Sequence, residues 1–219
     1  MLRLLFEKKG NAIWISHLDL MRLFQRAFKR AGLELVHTKG FNPRPSVSIA
    51  LPLSVGVESS CELLDFDLEG EIPSFEEIRA RLNRSLIPGV AVKEVYPAGR
   101  KIKELSLLDV AVTLEYDNGI PEGTVGKIQR LFSSDTLIVE KKGKNGIQNQ
   151  DIIPMILSLE TREQDWQTVL LEARIRCQNP TLNPALLTAA IDSYLPECHP
   201  DFSKCARAQI YDINETVFR

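Results

Sequence analysis

Two prolines flanking an arginine, in the run Lys39-Gly40-Phe41-Asn42-Pro43-Arg44-Pro45, constrain this chain more than any other stretch. Each proline fixes its own φ at about −65° and biases the residue before it to extended backbone. Arg44 is therefore presented rather than left to drift. Gly40 permits a positive φ, and Phe41 beside it either plugs a core or stacks on a base. The loop reads both as a rigid crossover that orders two strands and as a contact for phosphate or base. The two roles are compatible.

A helix leads into this loop. Ser16 suits its N-cap, with the hydroxyl accepting the N–H of Asp19 and the Asp19 carboxylate reaching back, a capping box with Asp in place of Glu. At about 100° per residue, Leu20, Leu23, Phe24, Ala27, Phe28 and Ala31 fall on one side, and Arg22, Arg26, Lys29 and Arg30 on the other. Gly32 ends it. Between residues 20 and 50 there are six basic side chains (Arg22, Arg26, Lys29, Arg30, Lys39, Arg44) and one acid, Glu34. That local charge of +5 sits in a chain of net −2, so the remainder carries −7. Concentrated charge of one sign focuses the field and points to an anionic partner.

With 219 residues, 44% hydrophobic and 26% charged, the composition is that of a globular protein large enough for one or two cores. No apolar run approaches the ~20 residues that cross a bilayer, and residues 1–6 enter a strand-like segment without a signal-peptide core. A cytoplasmic location is expected. Cys61, Cys177, Cys198 and Cys205 show no CxxC spacing and read as free thiols.

Strands are expected at 2–6, with 12–15 as a hairpin partner, and at 33–37, 47–51, 61–68 and 90–96. A second helix starts from Ser74, with Glu77 three residues on, and stops at Pro88-Gly89. The second half repeats the layout: strand 108–116, helix 121–132, strands 136–140, 152–159 and 167–176, a helix with Asn183 as cap and Pro184 at its first position, then strand 206–213. The fold expected is α+β: two tandem ferredoxin-like (βαββαβ) units with antiparallel sheets, 1–98 and 106–219, joined by a polar linker at 97–105. One continuous sheet satisfies the same order.

The candidate RNA-binding residues are Arg22, Arg26, Lys29, Lys39, Phe41 and Arg44. Phosphate contacts of this kind give affinity without sequence selectivity. A second basic turn, Lys141-Lys142-Gly143-Lys144-Asn145-Gly146, reads as a hairpin tip. His17 and His37 offer a general base for a ribose 2′-hydroxyl, which is the route by which this chain would be a metal-independent ribonuclease. Cys198-His199 with Cys205 is half of a zinc site, with Cys177 a distant fourth ligand, so no metal is assigned. No GxxxxGK[ST], GxGxxG, HExxH or CxxxCxxC motif is present, and no cofactor is expected. The chain reads as a binder more than as an enzyme.

The blocks SHLDLMR (16–22) and GFNPRP (40–45), with LRLLFEKKG at the start and EVYPAG near the hundredth residue, resemble a bacterial domain family of unknown function described as radical-SAM-linked. DIIPMILSLE and the NPALL helix extend the resemblance more loosely. Members of that family are fused to, or encoded beside, radical S-adenosylmethionine proteins, in some bacteria beside a ribonuclease of the E/G type. The resemblance implies a non-catalytic RNA-binding accessory module working with a radical SAM enzyme in RNA modification or processing, with tRNA or rRNA as partner and no membrane. The alternative is a protein-interaction scaffold that docks on the radical SAM partner without nucleic acid. The element order is also similar to that of the repeat-associated proteins of CRISPR systems, although their glycine-rich C-terminal loop is missing.

Overall fold

The structure, a computed structural model, describes residues 1–143 and 146–219. The chain divides into two compact units, Met1–Glu104 with Arg219, and Leu105–Phe218. Both are mixed α+β, with mostly antiparallel sheet and four α-helices in all among the described residues. Among the described residues no helix is long and apolar enough to cross a membrane.

The first unit runs β1 (Leu2–Lys8), a 3-10 turn (Gly10–Trp14), α1 (His17–Arg30), β2 (Val47–Ile49), β3 (Val57–Phe66), α2 (Phe75–Ser85) and β4 (Val90–Pro97). β1 pairs with both β3 and β4, and β2 pairs with β3, all antiparallel, giving the order β4-β1-β3-β2. Ser16 Oγ accepts from the Asp19 N–H at 3.2 Å and donates to the Asp19 carboxylate at 2.7 Å. α1 buries Leu20, Phe24, Ala27 and Phe28. Phe24 meets Phe6 edge-on at 4.7 Å between ring centres, and Phe28 meets Phe66 at 4.8 Å. Ile78 and Leu82 of α2 complete the core, each wholly buried.

Two segments expected as strands are not strands. Residues 12–15 fall in and just after the 3-10 turn, because the buried Lys8 ammonium takes the carbonyls of Ile13 (3.0 Å) and Ile15 (2.8 Å). A buried ammonium must find acceptors, and folding the chain back over Lys8 supplies them; the Ile13 carbonyl also accepts the Gly56 N–H at 3.0 Å. Residues 33–37 form only the single bridges Leu35 to Leu68 and His37 to Pro45. The Val36 N–H goes to the Asp67 carbonyl at 2.9 Å and the Arg44 N–H to Thr38 Oγ1 at 3.1 Å, so neither returns the backbone bond that would extend the bridge into a ladder.

Asn83 protects the edge of this sheet. β4 lies at its margin, and at Val92 the Asn83 side chain holds both backbone groups, donating to the carbonyl (2.9 Å) and accepting the N–H (2.8 Å). Pro97 removes a donor at the far end of the strand, so the edge is blunted against a second chain. Asn83→Ala is expected to lower unfolding free energy by about 1–3 kcal/mol in urea titration, with Asn83→Asp intermediate because it still accepts from Val92. An unchanged urea midpoint for Asn83→Ala would mean that the bridge is idle.

The second unit runs β5 (Leu107–Glu115), α3 (Thr124–Phe132), β6 (Ile138–Gly143), β7 (Gly146–Asp151), β8 (Ile156–Asp165), β9 (Thr168–Arg176), α4 (Ala185–Tyr194) and β10 (Phe202–Tyr211). Its sheet is β10-β5-β9-β8, antiparallel throughout. Among the described residues β6 and β7 pair only with each other. The strand expected at 136–140 therefore belongs to an inserted hairpin and not to the main sheet. Its partner strand, Gly-Ile-Gln-Asn-Gln-Asp, is exposed along most of its length and has no apolar face to bury in a larger sheet. The expected basic tip falls partly on residues 144 and 145, which lie outside the described residues. α3 begins at Thr124 rather than 121, after Gly123 in the left-handed region (φ 72°). Asn183 Oδ1 accepts from the Ala185 N–H at 3.1 Å and Pro184 already has helical dihedrals (φ −53°, ψ −29°), which is the bond that Asn183 as cap with Pro184 at the first position makes.

Candidate nucleic-acid interface

The strand pairing fixes where the basic residues sit. Val47 and Leu2 both pair with Phe66, so β2 starts level with the start of β1 and runs in the same direction. The chain leaves β1 at Lys8 and re-enters the sheet at Val47, so α1 must run back along it. The last turn of α1 and the 38–44 loop consequently share the end of the unit at which β1 begins.

The loop is a tied hairpin tip. The Thr38 N–H donates to the Arg44 carbonyl at 2.8 Å, the Arg44 N–H to Thr38 Oγ1 at 3.1 Å, and the Ser46 N–H to the Val36 carbonyl at 2.7 Å. Gly40 adopts φ 150°, with nothing near the place a Cβ would take. Lys39 and Arg44 are exposed, and Phe41 is 100% exposed. Of the two roles open to Phe41 in sequence, plugging the core is the one the structure excludes.

The four cations of α1 divide by what they touch. Arg30 donates to the Ser85 carbonyl at 2.6 Å and closes the C-terminal end of α2, so it is a structural residue. Arg22 pairs with Asp19 at 2.9 Å. The Asp19 carboxyl is held below its ordinary value first by the Ser16 hydroxyl and then by Arg22. Arg26 and Lys29 are exposed and, like Lys39 and Arg44, form no ion pair among the described residues. The free cations are thus Arg26, Lys29, Lys39 and Arg44. Exposed Glu34 sits near them, its carbonyl accepting from the Glu69 N–H at 2.9 Å.

The histidines do not meet. His17 opens α1, half-buried, with Nδ1 enclosed and without a hydrogen-bond partner; His37 is exposed in the loop bridge beyond the other end of the helix. About 20 Å of helix axis lies between these ends, too far for a shared proton transfer. The half zinc site is also not assembled. Cys198 is buried and takes a weak bond from Thr124 Oγ1 at 3.6 Å, while His199 Nδ1 bonds Asp192 at 2.7 Å. Among the described residues no group of three His, Cys, Asp or Glu is placed to hold a metal. All four cysteines are free, and burial pushes the Cys177 and Cys205 thiols up to about 11.

Two features had no signal in the sequence reading. Trp14 is 65% exposed at the close of the 3-10 turn. A cleft of about 520 Å³ lies between α2 and β4, lined by Phe75, Arg79, Lys93 and Tyr96 among others. The Tyr96 hydroxyl is enclosed there without a hydrogen-bond partner, and desolvation raises its pKa to about 12.

Residues 1–184 match a protein family described as an uncharacterized protein conserved in bacteria (DUF2344). The chain belongs to this family. No curated protein matches its sequence. Among solved structures, a chain of the crystal structure of a Cbf5-Nop10-Gar1 complex matches with a TM-score of 0.51 and 11% identity, over 95% of this chain and 48% of that one. A chain of an H/ACA RNP bound to a substrate RNA containing 2′-deoxyuridine gives a TM-score of 0.47 at 11% identity, over 94% and 46%. The chain thus spans about half the length of these two chains. At 11% identity the likeness to the Cbf5-Nop10-Gar1 complex is one of fold.

Proposed function

We propose that the chain is a cytoplasmic, non-catalytic RNA-binding module, and that the end of its first unit where α1 meets the 38–44 loop is the interface. The supporting observation is the set of four unpaired cations, Arg26, Lys29, Lys39 and Arg44, beside a wholly exposed Phe41 on a loop tied by its own backbone. A lone exposed phenylalanine is ordinary, but one beside four cations matches a nucleotide, whose base stacks on the ring and whose phosphate meets the charge. We read both units as ferredoxin-like, the second with β6 and β7 inserted; the pairing orders β4-β1-β3-β2 and β10-β5-β9-β8 support that reading. Work beside a radical SAM enzyme rests on the SHLDLMR and GFNPRP blocks alone.

Fluorescence anisotropy against bulk tRNA and against duplex DNA, at low and near-physiological salt, tests the interface. Four neutralised phosphates give a log–log salt slope of about −3, so affinity for RNA should drop roughly 65-fold over a fourfold rise in salt. Arg26→Glu with Arg44→Glu should weaken binding by at least about tenfold and flatten that slope by about two units. Unchanged RNA affinity in this double variant overturns the assignment. Binding to neither nucleic acid moves the basic face to a protein partner.

A further inference from the structure

Trp14 and Phe41 flank the same helix from opposite ends. Trp14 precedes α1 by three residues, and Phe41 lies in the loop beyond its last turn. Trp14 is mounted rather than loose: a Cβ at Gly56 would lie 3.5 Å from its Cζ3, Gly56 adopts φ +83°, and the Gly56 N–H donates to the Ile13 carbonyl at 3.0 Å. The ring therefore rests on bare backbone at one edge and still exposes 65% of its surface. Leu18, 67% exposed, continues the apolar surface into the first turn. On the helix, Leu18, Arg22 and Lys29 fall within about 40° of arc, and Arg26 within about 80°. Aromatic surface, cations and aromatic surface thus follow one another over about 20 Å of helix.

We propose that this face of α1 takes single-stranded RNA, with Trp14 as a second stacking platform opposite Phe41. The inference rests on the RNA reading above and names the form of RNA. Base faces are open to side chains only where the bases are unpaired, because in a duplex they are stacked on each other and present phosphates and groove edges. Cations alone would serve a duplex as well as a single strand. Exposed rings at both ends of a cationic stripe add a feature that only unpaired bases use. Asp19 is the one acid of α1, and Arg22 pairs with it at 2.9 Å, so along the helix the strand meets Arg26 and Lys29; exposed Glu34 lies past the last turn.

The chain has two tryptophans, so a Trp166→Phe background leaves Trp14 as the one indole emitter. The probe is a uridine oligomer of about eight nucleotides, alone or annealed to its complement, titrated at low salt. Quenching of Trp14 by the single strand and not by the duplex is expected. Trp14→Ala should weaken the single strand roughly 5- to 100-fold with the salt slope unchanged, whereas Trp14→Phe, which keeps a ring, should restore most of the affinity. Circular dichroism of both variants checks that the fold is kept. If the single strand binds with a steep salt dependence while Trp14 emission stays fixed and Trp14→Ala binds as well as its parent, stacking at Trp14 is overturned and the cationic interface stands. If neither form of RNA binds at low salt, both proposals fall.

Discussion

Gly89→Ala should cost the first unit about 3–5 kcal/mol, a large share of the ~5–15 kcal/mol that holds a typical domain folded. Two effects add. Gly89 sits at φ +88°, where a side chain carries about 1–2 kcal/mol of backbone strain. An added Cβ would also lie 2.4 Å from the Lys9 carbonyl oxygen and 2.9 Å from the Ala12 Cβ. Neither atom can move cheaply, since the Lys9 N–H is itself bonded to the Gly89 carbonyl at 2.8 Å, locking the two turns together. Gly70→Ala is the control. That glycine has φ +73° with nothing within 4 Å of a Cβ, so it carries the torsional cost alone. Urea titrations of the two variants should differ by about 2 kcal/mol or more in favour of Gly70→Ala, and equal losses would show that the contact at Gly89 relaxes. The displaced segment includes the 3-10 turn that carries Trp14, so residual folded Gly89→Ala protein should also lose the binding assigned to that ring.

What could be read from the sequence was whatever is decided within a few residues. α1 is written in its Ser16 cap, its apolar period and Gly32, and the buried Leu20, Phe24, Ala27 and Phe28 are residues of the side that the period marks as apolar. The 3-10 turn is not written locally, because it depends on where the Lys8 ammonium finds its carbonyls. Residues 138–143 carry a genuine strand pattern, yet no local pattern says which sheet a strand joins. The turn at 141–146 reads as a hairpin tip, but that this hairpin stands apart from the main sheet is not legible for that reason.

The same division runs through the interface. A basic stripe on a helix announces exposure, which Arg22, Arg26, Lys29 and Arg30 share. It does not reveal that Ser85 stands opposite Arg30 and makes one member of the stripe a brace. Phe41 was ambiguous because two prolines set the backbone of a loop without saying which way its neighbour faces. Trp14 was overlooked because a strand was expected there, in which alternate side chains would be covered.

Arg3 is the other place where local pattern and structure part, and it carries the second large effect. The run Leu2-Arg3-Leu4-Leu5-Phe6 reads as a strand and gives no sign that its one charged side chain, Arg3, is wholly buried. Its Nε and one terminal nitrogen donate to the two oxygens of Asp65 at 2.6 and 2.9 Å, and that nitrogen also donates to the Arg100 carbonyl at 2.9 Å. Arg3 and Asp65 are direct cross-strand partners in β1 and β3, so the pair holds the register of the two central strands of this unit. A slip of one residue would carry Arg3 to the face that packs on the helices. Asp65→Leu alone strands a buried guanidinium and should cost about 3–5 kcal/mol; Arg3→Met alone strands the carboxylate and should cost about as much. The double variant removes both charges and should recover most of the loss, leaving a coupling of about 2 kcal/mol or more in the double-mutant cycle. If each single variant loses less than about 1 kcal/mol in urea, water reaches the stranded charge and the pair is not what fixes β1 on β3. If the double variant is stable but its unfolding transition broadens, the pair contributes register rather than stability, and the interface, built from elements on both sides of that register, should lose RNA affinity together with it.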